Sequence, residues 1–388
     1  MSEPISPEPL FAQSVSSGPL LAELPAQKPP FASASNHELS AATILQHWQP
    51  PLGALAIQTL DCHTGGEPLR IITTGFAPLE GSTVLAQRAD CVQQHDALRQ
   101  LLMFEPRGHA DMYGCVLTAP ERPDSAFGVI FLHNEGYSTM CGHAMIALAK
   151  VAVESGAVAV TLPVSQFQVD APCGQVTLYA QVQQTEAGYR VDDSWFDNVP
   201  SFADGTPRQV EVAGLGTVTY QLAYGGAYYA YVDANSIGLS LAAENHQAII
   251  AFGRRIKQQV AEQHLILHPT AADLSFLYGV IFTGPAHNNA DMRNVCVFAD
   301  GELDRSPTGS GVSGLAAILY RDGNWPASNQ LRVESITGAV FSISIKQQIQ
   351  LGTIDAVIPQ VRGQAFVSGR HQFFLDPQDP FPQGFIFR

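Results

Sequence analysis

Two short stretches hold the residues best suited to chemistry: Ser138-Thr139-Met140-Cys141-Gly142-His143-Ala144 and, with Thr308 standing 167 residues after Cys141, Ser306-Pro307-Thr308-Gly309-Ser310-Gly311. Both read as helix starts. A polar N-cap candidate, Thr139 or Ser306, precedes an apolar run of small residues, Met145 to Val153 or Val312 to Leu319. Pro307 suits the first helical position, where its missing N–H costs nothing. First-turn amides have no acceptor inside their own helix, and the helix dipole favours negative charge beside them. A pair of such starts would grip a small carboxylate from two sides. Only the first carries a thiol. Placed in a first turn, Cys141 should ionise below the value of about 8.5 for a free cysteine and act as a base or nucleophile. The plain alternative is a small buried apolar side chain, the commoner fate of a lone cysteine.

The neighbouring residues admit both readings too. His143 could donate to a carboxylate or only satisfy a nearby loop, and Asp304 could cap the second helix or accept from a cationic nitrogen. The run Asp61-Cys62-His63-Thr64-Gly65-Gly66-Glu67 is rich in metal-capable side chains, but its spacing matches no standard metal site. It reads as a structural loop bordering the site, with a glycine pair serving the backbone. Gly309-Ser310-Gly311 lacks the lysine of a phosphate loop and the full G-x-G-x-x-G spacing. Tyr224-Gly225-Gly226-Ala227-Tyr228-Tyr229 reads as a turn into an aromatic strand of core or cleft wall, and Trp48, Trp195 and Trp325 follow no stacking pattern.

Composition bounds the partners. A chain of 388 residues with 46% hydrophobic content is globular and long enough for about two domains. Its formal charge of −15, with no basic cluster beyond Arg254-Arg255, argues against nucleic acid. An acidic protein that binds an anion must do so locally, through amides or a few buried donors. Cys62, Cys91, Cys115, Cys141, Cys173 and Cys296 form no C-x-x-C pair and read as reduced thiols. With no signal-type h-region, no Arg-rich leader and no span of about 20 apolar residues, the expected compartment is the cytosol, with no membrane partner. A homodimer is left open.

The elements that must position these residues recur in order. Residues 1–51 hold 9 of the 26 prolines and are expected to form a disordered extension, with a short helix near Asn36 to His47 weighed evenly against a loop. Strands are expected at Leu55–Leu60, Leu69–Thr74, Gly128–His133, Val158–Leu162, Phe167–Val169 and Val176–Gln183, with a helix at Val84–Glu105 and another at the Cys141 segment. Beyond Pro200 come strands Gln209–Glu211, Gly216–Leu222 and Tyr228–Asp233, a helix Ala243–His264, strands Gly279–Thr283 and Asn294–Phe298, and the helix after Pro307. Strand-like runs at Ala365–Ser368, Gln372–Leu375 and Phe385–Phe387 should pair back onto an existing domain. This predicts a pseudo-symmetric pair of α/β domains, 52–205 joined by the C-terminal segment 354–388, and 206–353.

With these residues in view, the chain from about Leu55 onward resembles the proline racemases and hydroxyproline epimerases. The resemblance rests on Asp61-Cys62-His63-Thr64-Gly65-Gly66-Glu67-Pro68, Arg107-Gly108-His109-Ala110-Asp111-Met112-Tyr113-Gly114, Met140-Cys141-Gly142-His143, Asp304-Arg305-Ser306-Pro307-Thr308-Gly309-Ser310-Gly311, and Asp379-Pro380-Phe381 with Gly384-Phe385. It implies a fold of the diaminopimelate-epimerase type, two similar α/β domains with the site in the cleft between them. It further implies catalysis at Cys141 and Thr308, a carboxylate held by Gly142, His143, Gly309 and Ser310, a ring nitrogen at Asp304, and Tyr278 lining the cleft. The implied partner is a small imino acid, and no metal, nucleotide or pyridoxal cofactor is implied.

The chain departs from the family at one position. Racemases and epimerases carry a second cysteine where Thr308 stands, and a threonine hydroxyl does not ionise near neutral pH, so two-base inversion should be crippled. The Cys-plus-Thr pair is similar to that of the subgroup that dehydrates trans-3-hydroxy-L-proline. Three other readings compete: an epimerase in which a water bypasses Thr308, a non-catalytic imino-acid binding protein, and a cysteine hydrolase. For the last, His143 stands too near Cys141 in sequence to serve as its base.

Overall fold

The computed structural model describes residues 41–387. Most of the expected N-terminal extension, and the Asn36 end of its expected helix, lie outside the described residues. The chain divides into two units, Met1–Pro50 and Pro51–Arg388. In the first, the described part contains one short helix, α1 (Ala41–Leu45), with no buried side chain.

The second unit is built from two runs of elements with the same order and the same strand senses. In the first run, β1 (Leu55–Thr64) and β2 (Glu67–Thr74) form a hairpin. Helices α2 (Val84–Gln94) and α3 (Asp96–Met103) then cross to β3 (Tyr113–Thr118), which lies parallel to β2. Antiparallel β4 (Ser125–His133) and β5 (Gly136–Ser138) lead into α4 (Gly142–Glu154); β6 (Val164–Ala171) returns parallel to β4, and β7 (Gly174–Thr185) and β8 (Gly188–Asp197) follow antiparallel.

In the second run, β9 (Phe202–Val212), β10 (Gly216–Tyr224) and β11 (Tyr228–Asp233) are antiparallel neighbours, and α5 (His246–Gln263) crosses to β12 (Leu277–Gly284), parallel to β11. Strands β13 (Met292–Phe298) and β14 (Glu302–Leu303) lead into α6 (Gly309–Arg321), and β15 (Leu331–Glu334) returns parallel to β13. Strands β16 (Val340–Leu351) and β17 (Ile354–Gly363) complete the run. Finally β18 (Ala365–Leu375) pairs with β1, the place that β9 holds beside β10. The two runs meet where β8 pairs antiparallel with β17. This is the pseudo-symmetric α/β architecture that the repeated order of elements predicts.

Helices α4 and α6 are the cores of their halves. From Gly142 to Ala149 and from Gly309 to Ile318 every residue is buried, so each helix is enclosed on all sides along that stretch. Small residues permit that closeness: a Cβ on Gly314 would lie 2.3 Å from the Tyr231 hydroxyl. Among the described residues, no helix is long and apolar enough to cross a membrane.

Four expectations need correcting. Phe385–Phe387 is not a strand: Phe385 makes only an isolated bridge to Glu105. Val158–Leu162 is not a strand; Pro163 has no N–H for a ladder, and Val158 and Val160 instead cover a small cluster of Val153, Ala180, Val182 and Val191. The single helix expected over Val84–Glu105 breaks at His95, where the Tyr137 hydroxyl donates to Cys91 O at the end of α2. Thr139 and Ser306 are not the N-caps: Cys141 caps α4 and Thr308 caps α6, so both helices begin two residues later than the polar residues suggest, and Pro307 lies before the helix.

Candidate active site

The late helix starts follow from how the two halves meet. A Cβ on Gly142 would lie 2.4 Å from Gly309 Cα, and one on Gly309 would lie 2.5 Å from Gly142 Cα, so the first residues of α4 and α6 touch backbone to backbone. Only glycine fits at either place. Each half also presses a glycine hairpin against the loop that starts the other half's helix. Gly65, between β1 and β2, packs on Ala339 and Ser306, while Gly226, between β10 and β11, packs on Met140 and accepts a hydrogen bond from Thr139 Oγ1 at 2.7 Å. Gly65 and Gly226 have φ values of +63° and +99°, open to glycine at little cost.

These contacts bring Cys141, Gly142, His143, Asp304, Thr308, Gly309 and Ser310, every predicted site residue, around one cavity. Its further walls include Tyr113, Tyr229, Tyr278 and Phe298, an aromatic box in which Tyr278 stacks on Phe298 at 5.4 Å. Among the described residues that line it there is neither lysine nor arginine. That leaves the first-turn amides of α4 and α6 as the donors an anion would meet, since their intrahelical bonds begin at Met145 N to Cys141 O and Val312 N to Thr308 O. The space measures about 20 Å³, room for one water.

On the α4 side, Cys141 Sγ lies 3.2 Å from His143 Nδ1, and His143 Nε2 lies 3.2 Å from Pro68 O. A carbonyl only accepts, so the imidazole proton is assigned to Nε2 and Nδ1 faces the thiol as an acceptor. Burial holds His143 down to about 3, which keeps it neutral. Proximity in sequence is thus no bar to a Cys–His contact, contrary to the expectation used against a hydrolase. The thiol itself departs from expectation in the opposite direction. Burial pushes Cys141 well above the usual cysteine range, outweighing the Ala144 amide and the Tyr113 hydroxyl that favour the thiolate, while Asp304 and Glu67 oppose ionisation further. Desolvation on burial thus overrides the helix terminus in setting the thiol's ionisation.

On the α6 side, Asp304 organises the loop: Oδ1 accepts from Ser306 N at 2.7 Å, and Oδ2 accepts from Thr308 Oγ1 at 2.7 Å. Ser306 Oγ accepts from Thr308 N at 3.1 Å. These bonds hold Thr308 at φ +65°, a conformation rare for a β-branched residue. With its proton committed to Asp304, the Thr308 hydroxyl is a fixed polar group rather than a base. Ser310 Oγ is shared with the Tyr229 hydroxyl at 2.8 Å.

The residue that sequence reasoning undervalued is Glu67. It was read as part of a bordering loop, yet it is wholly buried and lines the cavity. The available signal was a lone carboxylate opening a strand whose centre is apolar (Leu69, Ile71 and Ile72), where a buried acid demands a partner.

Two α/β halves that bury paired helix starts, with one thiol between them, define the class. The chain belongs to the proline racemase family, whose model matches residues 59–386. Among its relatives is the trans-3-hydroxy-L-proline dehydratase of Colwellia psychrerythraea (strain 34H / ATCC BAA-681), 51% identical over 90% of this chain and 98% of that one. Another, the 3-hydroxyproline 2-epimerase of Burkholderia multivorans (strain ATCC 17616 / 249), is 42% identical over 86% of this chain and 98% of that one. Among solved structures, a hydroxyproline epimerase from Agrobacterium vitis with bound trans-4-hydroxy-L-proline superposes with a TM-score of 0.79 at 26% identity, covering 86% of this chain and 96% of that one.

Proposed function

We propose that this chain is a hydro-lyase of the cytosol that converts trans-3-hydroxy-L-proline to pyrroline-2-carboxylate without a cofactor. The observation that carries the reading is the unequal pair at the helix starts, one thiol (Cys141) and one hydroxyl tied to a carboxylate (Thr308). The activity is the one named for the 51% identical relative.

In this reading the amides of Gly142, His143, Gly309 and Ser310 hold the substrate carboxylate and stabilise the charge that develops on it as the α-proton leaves. Asp304 accepts from the ring nitrogen. In the trans isomer the 3-hydroxyl and the α-hydrogen share a ring face, so one group can serve both. The Cys141 thiolate takes the α-proton; the C–H electron pair forms the C2–C3 double bond; the C3–O bond breaks, and the departing oxygen takes the proton back from sulfur as water. The enamine then tautomerises to the cyclic imine. Thr308 supplies no proton to the opposite face, which suppresses inversion. Closure of the halves over the ring excludes water from these steps.

The test is incubation of the protein, with nothing added, with trans-3-hydroxy-L-proline, trans-4-hydroxy-L-proline and L-proline in deuterated water, followed by NMR. Imine formation from the 3-hydroxy compound alone supports the reading. Inversion at Cα of any of the three without dehydration refutes it in favour of an epimerase, and silence with all three leaves a binding protein.

A further inference from the structure

Two polar atoms of the cavity-lining residues, Glu67 Oε1 and the Tyr278 hydroxyl, have no hydrogen-bond partner among the described residues. Glu67 is 0% exposed; its Oε2 accepts from the backbone N–H of Arg305 at 2.7 Å, while Oε1 has no hydrogen-bond partner among the described residues. The Arg305 guanidinium is turned to other groups, donating to Asp111 and to Leu303 O. Glu67 is thereby pinned to the residue that follows Asp304, and two carboxyl side chains reach the same small space from opposite halves of the molecule. A glutamine carbonyl would satisfy Arg305 N–H equally well, so packing alone gives no reason for an acid here.

A ligand supplies the reason. The nitrogen of a pyrrolidine ring is protonated at neutral pH and carries two N–H donors. Asp304 already receives Ser306 N–H and Thr308 O–H on its two oxygens, which leaves it poorly placed to take both. Resting on the reading that the ring nitrogen sits at Asp304, we propose that Glu67 Oε1 is the second acceptor for that nitrogen, so that Glu67 and Asp304 clamp the ring ammonium between the two halves. The clamp makes the site selective for a cationic secondary amine over a neutral ring of the same shape. Burial and the charge of Asp304 push the Glu67 carboxyl well above the usual carboxylate range, and an ammonium between the two groups relieves that opposition. Parting of the halves separates the two acceptors, so the clamp also ties release of the ring to opening.

The test compares two ligands by titration calorimetry: L-proline, and (S)-tetrahydrofuran-2-carboxylate, in which oxygen replaces the NH2 of the ring. Glu67→Gln keeps the side-chain volume but places an amide N–H either toward the ammonium or toward Arg305 N–H. The clamp predicts a loss of roughly 10–100-fold in L-proline affinity, the scale of a hydrogen bond to a charged group, with the oxygen analogue changed less than about twofold. Equal losses for both ligands would mean that Glu67 only shapes the loop, and would overturn the inference. Asp304→Asn, in which Glu67 is intact, keeps a residual preference for L-proline over the analogue; complete loss of that preference overturns the inference as well. Wild-type protein that turns over trans-3-hydroxy-L-proline yet binds both probes equally would overturn the clamp and leave the dehydratase reading standing.

Discussion

Gly142→Ala isolates what the contact between the helix starts does. Gly142 is not among the positive-φ glycines, so alanine is free to adopt its backbone conformation, and in a helix alanine is ordinarily the better residue by up to about 1 kcal/mol. What forbids it is space. The new Cβ would meet Gly309 Cα at 2.4 Å, its carbonyl carbon at 3.0 Å and its nitrogen at 3.1 Å, all backbone atoms with no rotamer to yield. Ordinary contact begins near 3.4 Å, so α4 and α6 must part by about 1 Å. That displacement splits the carboxylate-binding amides and moves Cys141 relative to Asp304. Misplacement of this size costs about 100-fold in rate when geometry supplies the catalysis. The expected result is kcat/KM on trans-3-hydroxy-L-proline reduced by about two orders of magnitude, with a Tm lowered by only a few degrees. Gly309→Ala should do the same, and the double variant should cost less than the sum, because one separation accommodates both methyls. A folded Gly142→Ala variant with wild-type kcat/KM would refute the argument that the touching termini set the site.

Other measurements probe the site separately. Since burial pushes Cys141 up and the reactive form is the thiolate, kcat/KM should climb with pH, about tenfold per unit, between roughly pH 6 and 9; His143, held down to about 3, adds no step in that window, and a flat profile would contradict the assignment. Replacing Thr308 by Cys should introduce inversion at Cα of trans-4-hydroxy-L-proline, seen as the epimer by NMR in deuterated water, and a well-folded variant with no inversion would count against the two-face argument. Away from the site, Glu334→Ala strips the Arg293 guanidinium of a buried partner at 2.8 Å and removes the acceptor of the His287 and Asn288 amides; a loss of about 3 kcal/mol in urea unfolding is expected, and a loss below about 1 kcal/mol would show that the pair is dispensable.

The repeat of elements was legible because it is written in local signals: period-2 runs, glycine turns and two small-residue helices. What was not legible depended on contacts between residues far apart in the chain. Thr139 and Ser306 look like caps by type, but the helix starts are fixed by the meeting of Gly142 with Gly309, which no local pattern records. The thiol is the sharpest case. A helix terminus can be read from sequence and argues for a low cysteine pKa, whereas the burial that reverses the sign exists only once both halves enclose the sulfur. Glu67 escaped for the same reason, since the partner of its side chain among the described residues, Arg305 N, lies 238 residues away.

The frame is symmetric and the chemistry placed on it is not. Matched positions two residues beyond Thr139 and Ser306 carry Cys141 and Thr308, and the second helical residues are His143 and Ser310. The two helix starts touch backbone to backbone, which explains why glycine stands at the same place in each. Proton transfer requires no such equality. On the proposed mechanism, a thiol on one face only would return the proton from that face alone, so inversion would be closed to the bound ring and elimination open to a substrate whose hydroxyl sits above the same sulfur. On that mechanism the departure at Thr308 would alter the outcome without altering the cradle: its hydroxyl keeps the loop in place through Asp304 and would forgo the second proton.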